Sequence, residues 1–142
     1  RGHCMNIKQL SLWAAIATTV LAGCASMGGG SSLSLDGGKE VPPVSTAATG
    51  TGSITVADDM SVSGKVTTTG LAGTVAPIHL GAAGVNGPVV IALTKNGDNE
   101  WLVPAGAKLN AAQYEAYKNG GLYVNVHTVA NKGGEIRDQV RP

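Results

Sequence analysis

Short β-branched runs, each stopped by glycine, proline or aspartate, dominate this sequence. That pattern restricts it to short strands joined by tight turns. Leu33-Ser-Leu-Asp36 alternates apolar and polar residues, as a half-buried strand does, and Gly37-Gly38 breaks it. Val41-Pro42-Pro43-Val44 is stiff and extended; neither proline can donate to a ladder, so the segment belongs to an edge or a loop. Gly50-Thr-Gly52 leads into a strand, Ser53-Ile-Thr-Val56. The turn Ala57-Asp58-Asp59-Met60 joins it as a hairpin to Ser61-Val-Ser-Gly-Lys-Val-Thr-Thr-Thr69. After Gly70-Leu-Ala-Gly73, residues Thr74 to Leu80 read as a strand interrupted by Pro77. Gly81 to Pro88 is a glycine-rich loop in which Gly81, Gly84 and Gly87 are expected to supply positive φ. Val89 to Leu93 is apolar at every position, which predicts a strand covered on both faces. Asn96-Gly97-Asp98 is a turn, and Glu100 to Val103 a short strand.

One helix signal stands out. Asn110 can cap, Gln113 stands where a capping box needs it, and Ala111 to Lys118 are good helix formers ended by Gly120-Gly121. Tyr114 and Tyr117 predict the face that docks on the sheet. Leu122-Tyr-Val-Asn-Val-His-Thr128 and a last strand from Glu135 to Val140 close the chain as a hairpin. About eight short strands and one short helix predict a mostly β fold, an antiparallel β-sandwich or a flattened Greek-key-like barrel. The core must come from Val, Leu, Ile and Ala, because the sequence has no Phe and only two Trp.

The first 23 residues read as something other than domain. Arg1-Gly-His-Cys4 precedes Met5, which is taken as the start; Lys8 then gives one positive charge, and Leu10 to Leu21 is an apolar run too short to span a bilayer comfortably. It ends in Leu21-Ala-Gly-Cys24, which resembles a bacterial lipobox, so Cys24 is the expected lipidation site and the membrane the expected partner. Residues 24–32 form a glycine- and serine-rich tether, and 33–142 the β domain. Ala25 after the lipid-bearing cysteine leans the expected location towards the periplasmic side of the outer membrane. Without Arg1 and Lys8 the chain carries eight basic and nine acidic side chains, a net charge of −1, and no basic stripe for nucleic acid.

Three stretches together carry a family resemblance: Glu40-Val-Pro-Pro-Val-Ser-Thr-Ala-Ala-Thr-Gly50, Ala83-Gly-Val-Asn-Gly-Pro88, and Leu122 to Thr128 with Gly133-Gly-Glu-Ile-Arg137. In order and spacing they resemble the CHRD domain, a family named after repeats in chordin. The resemblance covers about residues 33–141. It implies an exported, β-sandwich-like domain with no established general activity. Members usually carry a His-Ile-His element before the glycine loop, similar to the copper-ligand strand of copper–zinc superoxide dismutases. Here the stretch is Pro77-Ile78-His79, with proline in the first histidine's place, and Gly81 follows Leu80 where the family has His-Gly-Pro.

Chemistry has few carriers. His79 and His127 are the only histidines after residue 23. On neighbouring strands they could hold copper or zinc, with Asn125, Glu135 or water completing the shell, but a stable site normally wants three or four protein ligands. A dismutase would need still more imidazoles. Glu135 and Arg137, two apart, are expected on one strand face, as are Asn125 and His127 on the preceding strand. Asn125, Glu135 and Arg137 therefore form a predicted polar cluster, either an anion or metal site or, the favoured reading, a device that fixes strand register. Asp58-Asp59 belong to a turn, no Gly-x-Ser-x-Gly elbow occurs, and Gly50-Thr-Gly52 opens no helix, so no catalytic residue is assigned. The expectation is a lipid-anchored binding or structural domain, neither enzyme nor cofactor protein, with metal binding as the alternative and a dismutase least favoured.

Overall fold

The threonine-rich hairpin is the longest ladder in the fold. In a computed structural model that describes residues 30–142, β2 (Thr49–Val56) and β3 (Val62–Thr69) pair antiparallel over eight positions. Asp59 Oδ1 accepts from the Ser61 backbone N–H at 3.0 Å, the turn role read from its position. The expected signal segment, Cys24 and most of the expected tether lie outside the described residues.

The other strands are β1 (Ser31–Asp36), β4 (Gly73–Val75), β5 (Pro77–Leu80), β6 (Val89–Ala92), β7 (Thr94–Lys95), β8 (Glu100–Leu102), β9 (Leu122–Thr128) and β10 (Ile136–Val140). Helix α1 (Ala111–Lys118) precedes β9. The sheet runs β6-β5-β9-β10-β1-β2-β3-β8-β7, with β4 also on β9, and every pairing is antiparallel. Its two edge strands, β6 and β7, are separated in the chain by Leu93 alone. The sheet therefore returns to its own beginning, a nearly closed barrel.

The barrel is filled by small aliphatics. Leu35, Ile54, Val66, Ile78, Val124, Val126 and Ile136 are each at most 1% exposed, and Trp101 is the one large ring among them. Volume that phenylalanine would supply elsewhere comes here from branched side chains that fit a pleated surface. The capping box forms as read: Asn110 Oδ1 accepts from Gln113 N at 2.8 Å and Gln113 Oε1 from Asn110 N at 2.9 Å. Tyr117 is buried, Tyr114 is partly buried, and α1 packs on β9.

Three expectations change. Val89 to Leu93 is not covered on both faces: Ile91 and Leu93 enter the core, while Val89, on the edge strand β6, is 56% exposed. Thr74 to Leu80 does break, but at Ala76, so Pro77 opens β5, where its missing N–H costs least. In the glycine loop only Gly84 has positive φ, at +79°. Gly81 and Gly87 serve close approach instead: a Cβ on Gly87 would lie 1.7 Å from the Leu80 carbonyl oxygen. No helix among the described residues is long and apolar enough to cross a membrane.

Candidate functional site: a covered polar face on strands β5, β9 and β10

Alternation along β9 sends Leu122, Val124 and Val126 into the barrel and Tyr123, Asn125 and His127 outwards. Yet all residues from Leu122 to Val126 are buried, so the outer face is covered as well. The register sets the neighbours. His79 on β5 and Gln139 on β10 both stand opposite Tyr123, and Arg137 stands opposite Asn125. The cover consists of residues 81–88 and the strap Glu40–Val44, tied together where Asn86 Nδ2 donates to the Val41 carbonyl at 2.7 Å.

Arg137 is 1% exposed. Its guanidinium donates to the carbonyls of Ala82 (3.0 Å) and Val85 (2.9 Å), to Asn86 Oδ1 (3.1 Å) and to Gln139 Oε1 (3.0 Å). The guanidinium carbon lies 3.4 Å from the Tyr123 ring centroid. On the β5 side of that ring the His79 imidazole stacks at 4.7 Å, within 4° of parallel. A buried charge normally costs several kcal/mol unless its hydrogen bonds are met. Here neutral acceptors and a π face meet them, each bond to a charged group contributing roughly 1.5–3 kcal/mol. The Tyr123 hydroxyl accepts from Gly87 N at 3.1 Å, and Gln139 Nε2 donates to the Gly81, Gly120 and Leu122 carbonyls. The glycine loop is held to the sheet at nearly every turn.

The two histidines do lie together, stacked at 5.9 Å and 5° from parallel. His79 Nδ1 stands 2.8 Å from the Gly87 carbonyl, which can only accept, so Nδ1 carries a proton. Asn125 Nδ2 donates to the Gly133 carbonyl at 3.0 Å, which fixes the amide; Oδ1 then accepts from His127 Nε2 at 3.0 Å. Ring lone pairs lie in the ring plane, so two stacked parallel rings do not direct them at one point near 2 Å from both. Among the described residues no group of three or more His, Cys, Asp or Glu is placed to hold a metal ion. The residues present do not fit a two-imidazole centre. Burial is the main cause that holds the His127 ring below its ordinary pKa; the Lys132 backbone opposes it and the His79 charge adds to it.

The predicted cluster divides. Asn125 and Arg137 do face each other, but Glu135 is elsewhere: it precedes β10, and its Oε1 accepts from Thr46 Oγ1 at 2.7 Å. The spacing argument assumed a continuous strand from Glu135, whereas β10 begins only at Ile136. The carboxylate that belongs to the face is Glu40, 4% exposed, with Oε1 buried and unpartnered. Burial raises its pKa, and the Asn125 amide, the Arg137 charge and the Val41 backbone each offset part of that rise. A Cβ on Gly134 would sit 2.2 Å from Asn125 Nδ2 and 2.3 Å from Glu40 Oε1, so glycine is what lets strap and hairpin meet.

Tyr123 was within reach of sequence reasoning, since it is two residues from Asn125 on the same strand. Gln139, two residues from Arg137 on the last strand, was within the same reach, whereas Glu40 and Asn86 were not placed by it because loops bring them over the sheet. Comparison with curated proteins and with solved structures finds no match. Residues 31–140 match the CHRD domain. The strap, the glycine loop, β9 and the turn before β10 are the stretches that carried the sequence resemblance, and they meet in this one covered face: the chain belongs to the CHRD domain family.

Proposed function

We propose that the protein is a lipid-anchored envelope lipoprotein whose CHRD domain is a rigid binding or structural module, without catalytic chemistry. The observation that carries the non-catalytic part is the occupation of Arg137: all its acceptors are backbone carbonyls and amides of its own loop and strand. A group so engaged offers nothing to a substrate. Leu21-Ala-Gly-Cys24 after a short apolar run supports the anchor, with Cys24 carrying the lipid and the outer membrane's periplasmic side as the location. Expression of the full chain in a bacterium fed labelled palmitate tests this. Label that is lost in Cys24→Ser supports the anchor, and label that persists rejects it.

Copper or zinc at His79 and His127 is the second reading. One observation favours it, the unpartnered Nε2 of His79. The parallel stacking and the hydrogen bonds at His79 Nδ1 and His127 Nε2 oppose it. Calorimetric titration of the full chain with each ion decides: stoichiometric binding abolished by His127→Ala would reinstate the metal site.

A further inference from the structure

The barrel does not close everywhere by backbone pairing. β4 pairs with β9 on one side only, and its other edge faces β7 across a seam. Two bonds span it: Leu93 N to the Ala76 carbonyl at 3.0 Å, and Lys95 Nζ to the Gly73 carbonyl at 3.0 Å. A groove of about 350 Å³ runs along this seam. Its apolar walls are Val75, Pro77, Val89 and Leu93, and its lining also includes Trp101, Lys95, Thr74 and His127. Val75 and Val89 are 51% and 56% exposed, so apolar surface is open to water on both rims.

Among the described residues the polar lining of the groove holds no carboxylate: it is Lys95, the Thr74 hydroxyl and the His127 imidazole. The Lys95 ammonium lies 5.4 Å over the Trp101 ring, and among the described residues no carboxylate pairs with it. Trp101 is 1% exposed, yet its indole N–H has no acceptor among those residues. An unmet buried donor costs roughly 1–3 kcal/mol. An apolar slot with a cation and a spare donor complements one ligand chemistry, an apolar chain that ends in a carboxylate. An extended peptide on the free edge of β4 would use the walls but leave the cation without a counter-ion.

We infer that the seam groove between β4 and β7 binds a small monocarboxylate with an apolar tail, its head at Lys95 and its chain between Val75 and Val89. This site borders the covered face of β5, β9 and β10, with which it shares His127, and does not depend on the lipid anchor. The chain has two tryptophans, so in a full-length Trp13→Phe protein Trp101 is the sole indole and reports directly on the groove. Its emission is followed during titration with decanoate below the micellar range, and with decanol as the neutral match. The proposal expects a saturable change with decanoate and binding about tenfold weaker for decanol. Lys95→Gln, at an exposed position, should weaken decanoate about tenfold and leave decanol unchanged. Val75→Asp, also exposed, should abolish both while circular dichroism stays that of the parent. Equal affinity for the two ligands, no saturable change with either, or full decanoate binding by Lys95→Gln would overturn it.

Discussion

Arg137 lies flat on Tyr123, its guanidinium carbon 3.4 Å from the ring centroid, with both side chains at most 2% exposed. They come from adjacent strands, and the loop over them is bonded to both: Ala82 and Val85 to the arginine, Gly87 to the tyrosine hydroxyl. The pair is therefore a clamp on residues 81–88. Lysine cannot replace the arginine, because a single ammonium has neither the planar fork nor the flat face.

Arg137→Lys should destabilise the domain by about 2–4 kcal/mol, since it strands buried acceptors and leaves a charge poorly met. Urea denaturation at neutral pH measures it, and a change below about 1 kcal/mol would mean that the loop does not depend on the guanidinium.

Glu40 and Glu135 should respond to pH with opposite signs. The folded pKa of Glu40 is raised above its ordinary 4.5, chiefly by burial, so the native state holds its proton more tightly than the unfolded state. Its contribution falls as pH rises from about 4.5 through that raised value. The folded pKa of Glu135 is lowered, chiefly by the Thr46 hydroxyl, so its contribution is present above 4.5 and is lost as pH falls. Glu40→Gln should gain relative to the parent as pH rises, and Glu135→Gln should lose. Denaturation midpoints from about pH 2.5 to about pH 8 compare them, the Glu135 limb falling below 4.5 and the Glu40 limb above it.

His127 adds a third dependence. Its folded pKa lies below 6.5, mainly through burial, so the unfolded chain binds the proton first. Stability from this residue is complete above 6.5 and is lost as pH falls from there towards the folded value. His127→Gln should flatten that limb. The ring's proton resonances, followed by NMR, should titrate with a midpoint below 6.5.

The loop glycines should rank by clash and not by torsion. Gly87→Ala drives a Cβ against the Leu80 carbonyl and should cost more than about 3 kcal/mol or prevent folding. Gly84→Ala meets nothing within 4 Å and carries only the left-handed penalty, about 1 kcal/mol. Thermal melts of the two variants check the order.

Local chemistry made much of the fold legible. The Asp-containing hairpin turn, the Asn110–Gln113 box and the strand Leu122–Thr128 depend on neighbours in sequence, and they stand where they were read. The seam and the edge position of β6 do not. Val89 to Leu93 has the composition of a buried strand, and only the strand order shows that it ends the sheet. The same limit governs the polar face. Asn125 and Arg137 stand opposite one another by strand pairing, whereas Glu135 was assigned to the face by an alternation that holds only from Ile136 onwards. Glu40 reaches Asn125 only through the path of the Val41–Val44 strap, which no periodicity encodes.

Hydrogen exchange of the full chain and its Arg137→Lys variant tests most directly whether the covered face is a clamp. The Val85 and Gly87 amides, bonded to the Ala82 carbonyl and the Tyr123 hydroxyl, report on the loop, while β2–β3 amides report on the barrel. The clamp predicts that the loop amides lose protection in the variant by at least tenfold more than the β2–β3 amides do, about 1.4 kcal/mol of local opening. Loop protection that stays at the parental level, or that falls only in step with the hairpin, would contradict it.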